Sequence, residues 1–476
     1  MAPETISRRQ VLSTLGAGGT IAVAGCIGDG DSESSENGDE EDPVGETTET
    51  ELDSTVTVGV LQDLSGPTGP EFGHQGISGF LSGLGYKQEE LPPELPGSLA
   101  SLDGEQISYD VNDLTFELQI RDTQSNPQQA QALADELLDE GAEVLYGFSN
   151  SDSLTRFANL SMEDTDVPVF VGQASTADVT SNSEFCNRRL FRATENNAMS
   201  SRTGGVYISQ ELEASRIALF GGDTRFGRSQ VAAYEQIFEE EGVEIVEQDI
   251  VGTGFSNWAP KLEAADQQDA EIVVYAMTGE TGRFFSVEFA TGDYGMRAIG
   301  DMPSRLTLEP FGARLDSLAE ELGGVDSISR ELIEFIRFGP LTDRYHWNQY
   351  DNRINDWLID AQVQQYGIVP DLFTSSAFVS ASAVVQAFEQ SGEASSDAVT
   401  EEVYGMTVTE TPKGRNEYEF QTHNNQAQSP MTVAPIWPTE SENWPVALQP
   451  GETAARVPKE ETTIPADHPD MSCDLS

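Results

Sequence analysis

The sequence predicts an α/β chain with two parallel sheets in succession, and three observations lead to that class. Short β-rich runs alternate with amphipathic helical segments, and a strand that returns through a helix to its neighbour makes a right-handed crossover and a parallel pair. The alternation runs through two separate series, so one sheet does not account for it. The β-rich runs lead into loops of small polar residues, and in open α/β sheets ligands sit beyond the carboxyl ends of the strands.

The first series begins with Thr55-Val56-Thr57-Val58-Gly59-Val60-Leu61, a β-branched run that ends at the turn Ser65-Gly66-Pro67. Residues 116–120 form the next strand. Asn126-Pro127 then opens a helix over 128–140 with Ala130, Leu133, Ala134, Leu137 and Leu138 on one face, and Gly141 stops it. Strands follow at 143–147 and 167–171; the first enters a serine-rich turn and the second the loop Gly172-Gln173-Ala174-Ser175-Thr176. The second series places strands at 215–221, 244–250 and 271–276, with helices at 229–241 and 258–267 between them. No repeat of 20 to 50 residues is visible, which argues against a solenoid or propeller.

Residues 1–25 have the layout of an export leader. Arg8-Arg9 precedes a short glycine-rich apolar run, as in a twin-arginine signal, and a membrane span would need about 20 apolar residues. Ala22-Val23-Ala24-Gly25-Cys26 resembles a lipobox, so Cys26 is expected to carry lipid and begin the mature chain; the alternative is cleavage nearby with Cys26 a spectator thiol. Residues 29–53 hold twelve Asp/Glu and no Lys or Arg, the composition of a disordered acidic tether over 26–53. Over the whole chain 82 Asp+Glu face 25 Lys+Arg, a formal net charge of −57. That balance argues against nucleic-acid binding, which needs a basic patch, and suits a surface working in concentrated salt.

Five segments, in order and spacing, resemble the substrate-binding proteins of branched-chain amino acid ABC importers. They are "VTVGVLQDLSGPTGPEFGHQGISG" from Val56, "LQIRDTQSNPQQAQALADELL" from Leu118, "EVLYGFSNSDSLTRFA" from Glu143, "VPVFVGQASTADVTS" from Val167 and "IALFGGDTRFGRSQVAAYEQIFEEEGVEIV" from Ile217. The stretch from Tyr350, "YDNRINDWLIDAQVQQYGIVPDLFTSSAFVSASAVVQAF", is similar to that family's C-terminal helices. The resemblance implies a type I periplasmic-binding fold, two Rossmann-like lobes joined by a three-crossing hinge and closing on a solute. The lobes are expected over 54–193 plus 325–408 and over 194–324 plus 409–440, with a tail over 441–476. It also implies a monomer anchored outside the membrane, a small amino acid-like ligand and permease subunits as partners, and no cofactor or metal. A sensor of the same fold is the alternative; the sequence shows no spanning helix fused to it, which favours transport.

Carried residue by residue, the resemblance puts the ligand's carboxylate at Ser151, Gln173, Ala174 and Ser175, with Ser149 and Asn150 beside them, and helix N-termini adding positive potential. Phe72 and Phe226 stand at the aromatic positions, Thr278 at a further contact and Asp301 nearest the ammonium partner. Gln173 replaces a small residue and phenylalanine stands where tyrosine is common, so an amide or urea-like solute is as compatible as leucine. The same residues have structural readings: serines 149, 151 and 153 as helix caps, the phenylalanines as packing and Asp301 as a solvated loop acid. Cys186 and Cys473 are expected either to pair at an oxidising surface or to stay separate thiols. Asn159-Leu160-Ser161 is a formal glycosylation sequon. His74, His346, His423 and His468 lack zinc or nucleophile–base spacing, and neither Gly-x-Ser-x-Gly nor Gly-x-Gly-x-x-Gly occurs, so no enzyme is expected.

Overall fold

The computed structural model describes residues 54–65, 69–277, 279–301, 338–438 and 448–476, together with Arg305, Leu308, Trp444 and Val446. The expected leader, the tether and Cys26 lie outside the described residues, as does Thr278.

The first sheet is built from β1 (Ser54–Gln62), β2 (Gln106–Val111), β3 (Leu114–Asp122), β4 (Val144–Gly147), β5 (Val169–Val171) and β6 (Leu190–Phe191) in the order β2-β3-β1-β4-β5-β6. All its pairs are parallel except β2 with β3. β2 lies within the Pro- and Leu-rich stretch 84–113, which therefore extends the flank of the sheet. Four helices accompany this part of the chain, α1 (Gly69–Lys87), α2 (Pro127–Asp139), α3 (Ser151–Leu160) and α4 (Asp178–Ser181), and α5 (Asn197–Val206) follows it and packs in the second lobe. α2 forms where its capping signals stand. The Asn126 side chain accepts the backbone N–H groups of Gln128 and Gln129, Pro127 fills the first turn, and Ala130, Ala134 and Leu137 bury one stripe.

The second sheet contains β7 (Arg216–Gly222), β8 (Glu244–Val251), β9 (Ile272–Ala276), β10 (Arg297–Asp301) and β11 (Phe338–Asp343), with α6 (Arg225–Glu241), α7 (Ala259–Gln267) and α8 (Gly279–Thr291) as connections. The chain then returns to the first lobe through α9 (Arg353–Tyr366), α10 (Thr374–Ser391), α11 (Ser396–Val403), β12 (Thr407–Thr411), β13 (Gly414–Phe420) and β14 (Ala427–Gln428). It ends with β15 (Met431–Ala434), β16 (Ile436–Pro438), β17 (Leu448–Pro450), β18 (Ala455–Val457) and α12 (Lys459–Thr462). The second sheet runs β18-β15-β11-β10-β9-β7-β8, parallel from β11 to β8 and antiparallel at β15 and β18. α1 and α10 pack closely because Gly79 and Gly83 leave no side chain between them. A Cβ at Gly79 would fall 2.6 Å from the Thr374 carbonyl oxygen, and one at Gly83 2.5 Å from that of Phe378.

Two of the expected lobe boundaries move. β11 pairs with β10 and β15, so residues 338–343 belong to the second sheet and not to the first lobe. β13 goes the other way, because Tyr418 and Phe420 are buried in the core formed by β1, β3, α1 and α10. Residues 441–476 contain folded elements as well as a tail, since β18 completes the second sheet. The chain thus passes between the sheets three times, near residues 193–196, 344–352 and 429–430. Cys186 and Cys473 are joined by a disulfide that fastens the C-terminal end to the first lobe. Four residues before the contact of Ser472 with Ser181, His468 meets Glu240 on α6 of the second lobe.

Candidate functional site

The loops at the carboxyl ends of β1, β4 and β5 meet in one place, and a hydroxyl holds two of them together. Ser151, the first residue of α3, accepts the backbone N–H groups of Ser175 and Thr176 at 3.2 and 3.1 Å. The helix cap is Asn150, whose side chain accepts Ser153 N–H, so the cap lies one residue before Ser151. Ser149 donates to Gln62 at 2.6 Å and accepts Asp63 N–H, which ties the β1 loop to the β4 loop. Ser151, Gln173, Ala174 and Ser175 are therefore brought together, all buried.

Gln173 turns its amide into the first lobe. Its Nε2 donates to the Tyr146 hydroxyl at 3.2 Å, and Tyr146 donates to the carbonyl of Gly76. A Cβ at Gly76 would stand 2.2 Å from that Nε2, so the glycine on α1 makes room for the long side chain at position 173.

Phe72 and Phe226 come from opposite lobes and share one apolar cluster with Leu372 and Phe373. Phe72 meets Phe373 edge-on, with ring centroids 5.1 Å apart. Arg225 pairs with Asp178 at 3.2 Å, and the backbone N–H of Ala177 donates to Asn197 Oδ1 at 3.0 Å. The lobes are thus in contact across the cleft. A groove of about 800 Å³ opens beside it between α3 and the start of α6, lined in part by Arg156, Asn159, Asp223 and Arg225. Asn159 of the sequon is exposed on the last turn of α3. Asp301 ends β10 and therefore lies at the cleft edge of the second sheet.

Five residues of this site were not singled out from the sequence: Glu71, Arg305, Arg344, Asp371 and Phe373. Arg344 is fully buried just after β11; its Nη1 donates to Ser175 Oγ and to the Glu195 carbonyl, both at 2.6 Å, and its guanidinium lies 5.7 Å from the centre of the Phe373 ring. Glu71 and Asp371 are buried on the first lobe, where Gln75 Nε2 lies 3.5 and 3.3 Å from them. Arg305 approaches both from the other lobe. Its backbone N–H donates to Asp371 at 3.0 Å, and its Nε and Nη2 each lie 3.4 Å from Glu71. Burial, and then the neighbouring Glu71 charge, push the Asp371 carboxyl well above the usual carboxylate range. The sequence signal for Arg344 and Asp301 was position alone, at the carboxyl end of a strand.

Behind the cleft the crossings converge on Glu195. Lys413 Nζ, Tyr418 Oη and Ser429 Oγ donate to its Oε1 at 2.7, 2.7 and 2.5 Å. Burial raises this carboxyl, but the Lys413 charge and these hydrogen bonds outweigh it and hold the group below its ordinary range. Among the described residues no group of three or more His, Cys, Asp or Glu could hold a metal, and no helix is long and apolar enough to cross a membrane.

Two sheets with ligand-sized loops facing each other across a three-crossing hinge define a two-lobed binding protein, and the sequence agrees. Residues 55–439 match the family model "Periplasmic binding protein", and the chain belongs to that family. No curated protein matches it. Among solved structures it is similar to an ABC-type branched-chain amino acid transporter protein of Rhodopseudomonas palustris CGA009, at 20% identity and TM-score 0.64, covering 87% of this chain and 99% of that one. An ABC transporter solute-binding protein of R. palustris BisB5, in complex with 3,4-dihydroxybenzoic acid, aligns at 17% identity and TM-score 0.65 over 85% and 98%. The amino acid ABC transporter substrate-binding protein of Pseudomonas fluorescens Pf-5 aligns at 16% identity and TM-score 0.65 over 88% and 99%. At these identities the likeness is one of fold.

Proposed function

We propose that the chain is the extracytoplasmic solute-binding component of an ABC importer, which takes a small polar solute in the interlobe cleft and presents the closed form to a permease. The observation that carries this reading is the meeting of Phe226 from one lobe with Phe72 and Phe373 from the other. A solute held there bridges both lobes and stabilises closure by its differential contacts with the closed state. The contacting set comprises Ser151, Ala174, Ser175, Phe72 and Phe226, with Thr278 and Asp301 from the second lobe; Gln173 supports the loop from behind. The names of the similar structures, which include amino acid and aromatic acid binders, agree with a small organic solute.

A thermal-shift screen of the purified chain in high salt tests the reading. A solute at 100 times its dissociation constant stabilises the fold by about 2.7 kcal/mol, and a screen of amino acids, amides and aromatic acids in which none shifts the transition counts against solute binding. We also propose that Cys26 carries the lipid that holds the protein at the membrane surface after twin-arginine export. On that reading Cys26→Ser moves the protein from the membrane fraction to the medium; retention on the membrane rules the anchor out.

A further inference from the structure

Glu71 and Asp371 form a pair of buried carboxylates around Gln75 Nε2, Glu71 directly before Phe72 and Asp371 two residues before Phe373 of the aromatic cluster. A cation is already there, and the opposite lobe supplies it. The Arg305 guanidinium reaches Glu71 at 3.4 Å through two nitrogens, the long end of hydrogen-bonding range, while its own side chain is 45% exposed against 5% for Glu71. A half-solvated side chain held by long contacts is one that another cation can displace, while the Arg305 backbone N–H stays on Asp371. The aromatic rings beside it favour the same sign of charge, since ring faces attract cations.

Resting on the solute-binding reading, we propose that Glu71 and Asp371 are the subsite for a cationic nitrogen of the solute, that Phe72, Phe226 and Phe373 hold its apolar part, and that Arg305 stands in the subsite when no solute is bound. The solute class is then an amine or zwitterion with an apolar body, and the ammonium partner lies on the first lobe instead of at Asp301. Arg305 acts as a competitor built into the chain.

The test compares three charge classes on the full chain in one buffer: zwitterionic L-amino acids, tetramethylammonium and benzoate. Binders of the first two classes are expected to tighten by up to about fivefold in Arg305→Gln, the fold-change of a half-exposed ion pair. Glu71→Gln is expected to weaken them about thirtyfold or more, as for truncation of a buried charge contact, and Asp371→Asn, which puts a neutral amide where the carboxyl holds its proton, is expected to weaken them by less. Arg305 is largely at the surface, so its variant keeps the readout available if the carboxylate variants fold poorly. Binding of benzoate alone leaves the solute-binding reading standing and overturns this assignment. So does an Arg305→Gln affinity that falls or stays level, because Arg305 would then be a latch closing over the solute or a bystander. If no member of any class binds, the solute-binding reading itself fails.

Discussion

Glu195 in the hinge and Asp371 in the cleft are buried to a similar degree, yet their carboxyl groups are driven in opposite directions. Desolvation acts first on both. At Glu195 it is outweighed by a lysine 2.7 Å away and two hydroxyl donors, all from segments that meet at the hinge. At Asp371 the nearest charge is another carboxylate, and the countering N–H groups come partly from Arg305, across the cleft. The hinge has brought its own partners, whereas the cleft borrows one from the other lobe. Polar groups in the hinge must stay paired whether the lobes open or close. On the proposed closure around a solute, those in the cleft exchange partners.

The comparison breaks first at Lys413. Removing the ammonium leaves Glu195 buried beside neutral donors, so Lys413→Met is expected to cost about 3–5 kcal/mol in urea or thermal unfolding. Because the folded pKa of Glu195 lies below its unfolded value, the wild-type contribution is present above the ordinary carboxylate range and fades as pH falls. Lys413→Met should lose most near neutral pH and approach wild type in acid. A loss under 1 kcal/mol at pH 7 would mean the pair does not hold the hinge, and the contrast with the cleft would disappear.

Much of the frame was legible in the sequence and little of this polar chemistry was. β1 announces itself by its alternating valines, and α2 by Asn126-Pro127 and its small-residue stripe, because both signals are local. Phe72 and Phe226, which share one cluster, were set at the cleft by the family resemblance and by no local signal. β11 was hidden, since Gly339-Pro340 inside it reads as a turn, and only its neighbours β10 and β15 make it a strand. The Glu195–Lys413 pair joins residues 218 apart, and no periodicity records such a partnership. Asp371 follows Pro370 in what reads as an ordinary acidic turn; its burial depends on α1 and Arg305 arriving from two distant segments.

The smallest expected effect lies in the cleft and has the opposite sign to that at the hinge. Asp371 has a folded pKa above its unfolded value, so the fold keeps its proton. The stability this confers is present in acid and is lost as pH rises through the raised value. Each unit of elevation corresponds to about 1.4 kcal/mol, shared with Glu71 and offset by the N–H donors of Arg305 and Leu372. Asp371→Asn mimics the protonated form, so its urea midpoint should vary less between pH 4 and 8 than that of the wild type, whatever the absolute loss from a less suitable donor pattern. Parallel pH profiles would show that Asp371 ionises at its ordinary value. The cleft would then hold two charged carboxylates against one arginine, which raises the demand for a cation from the solute.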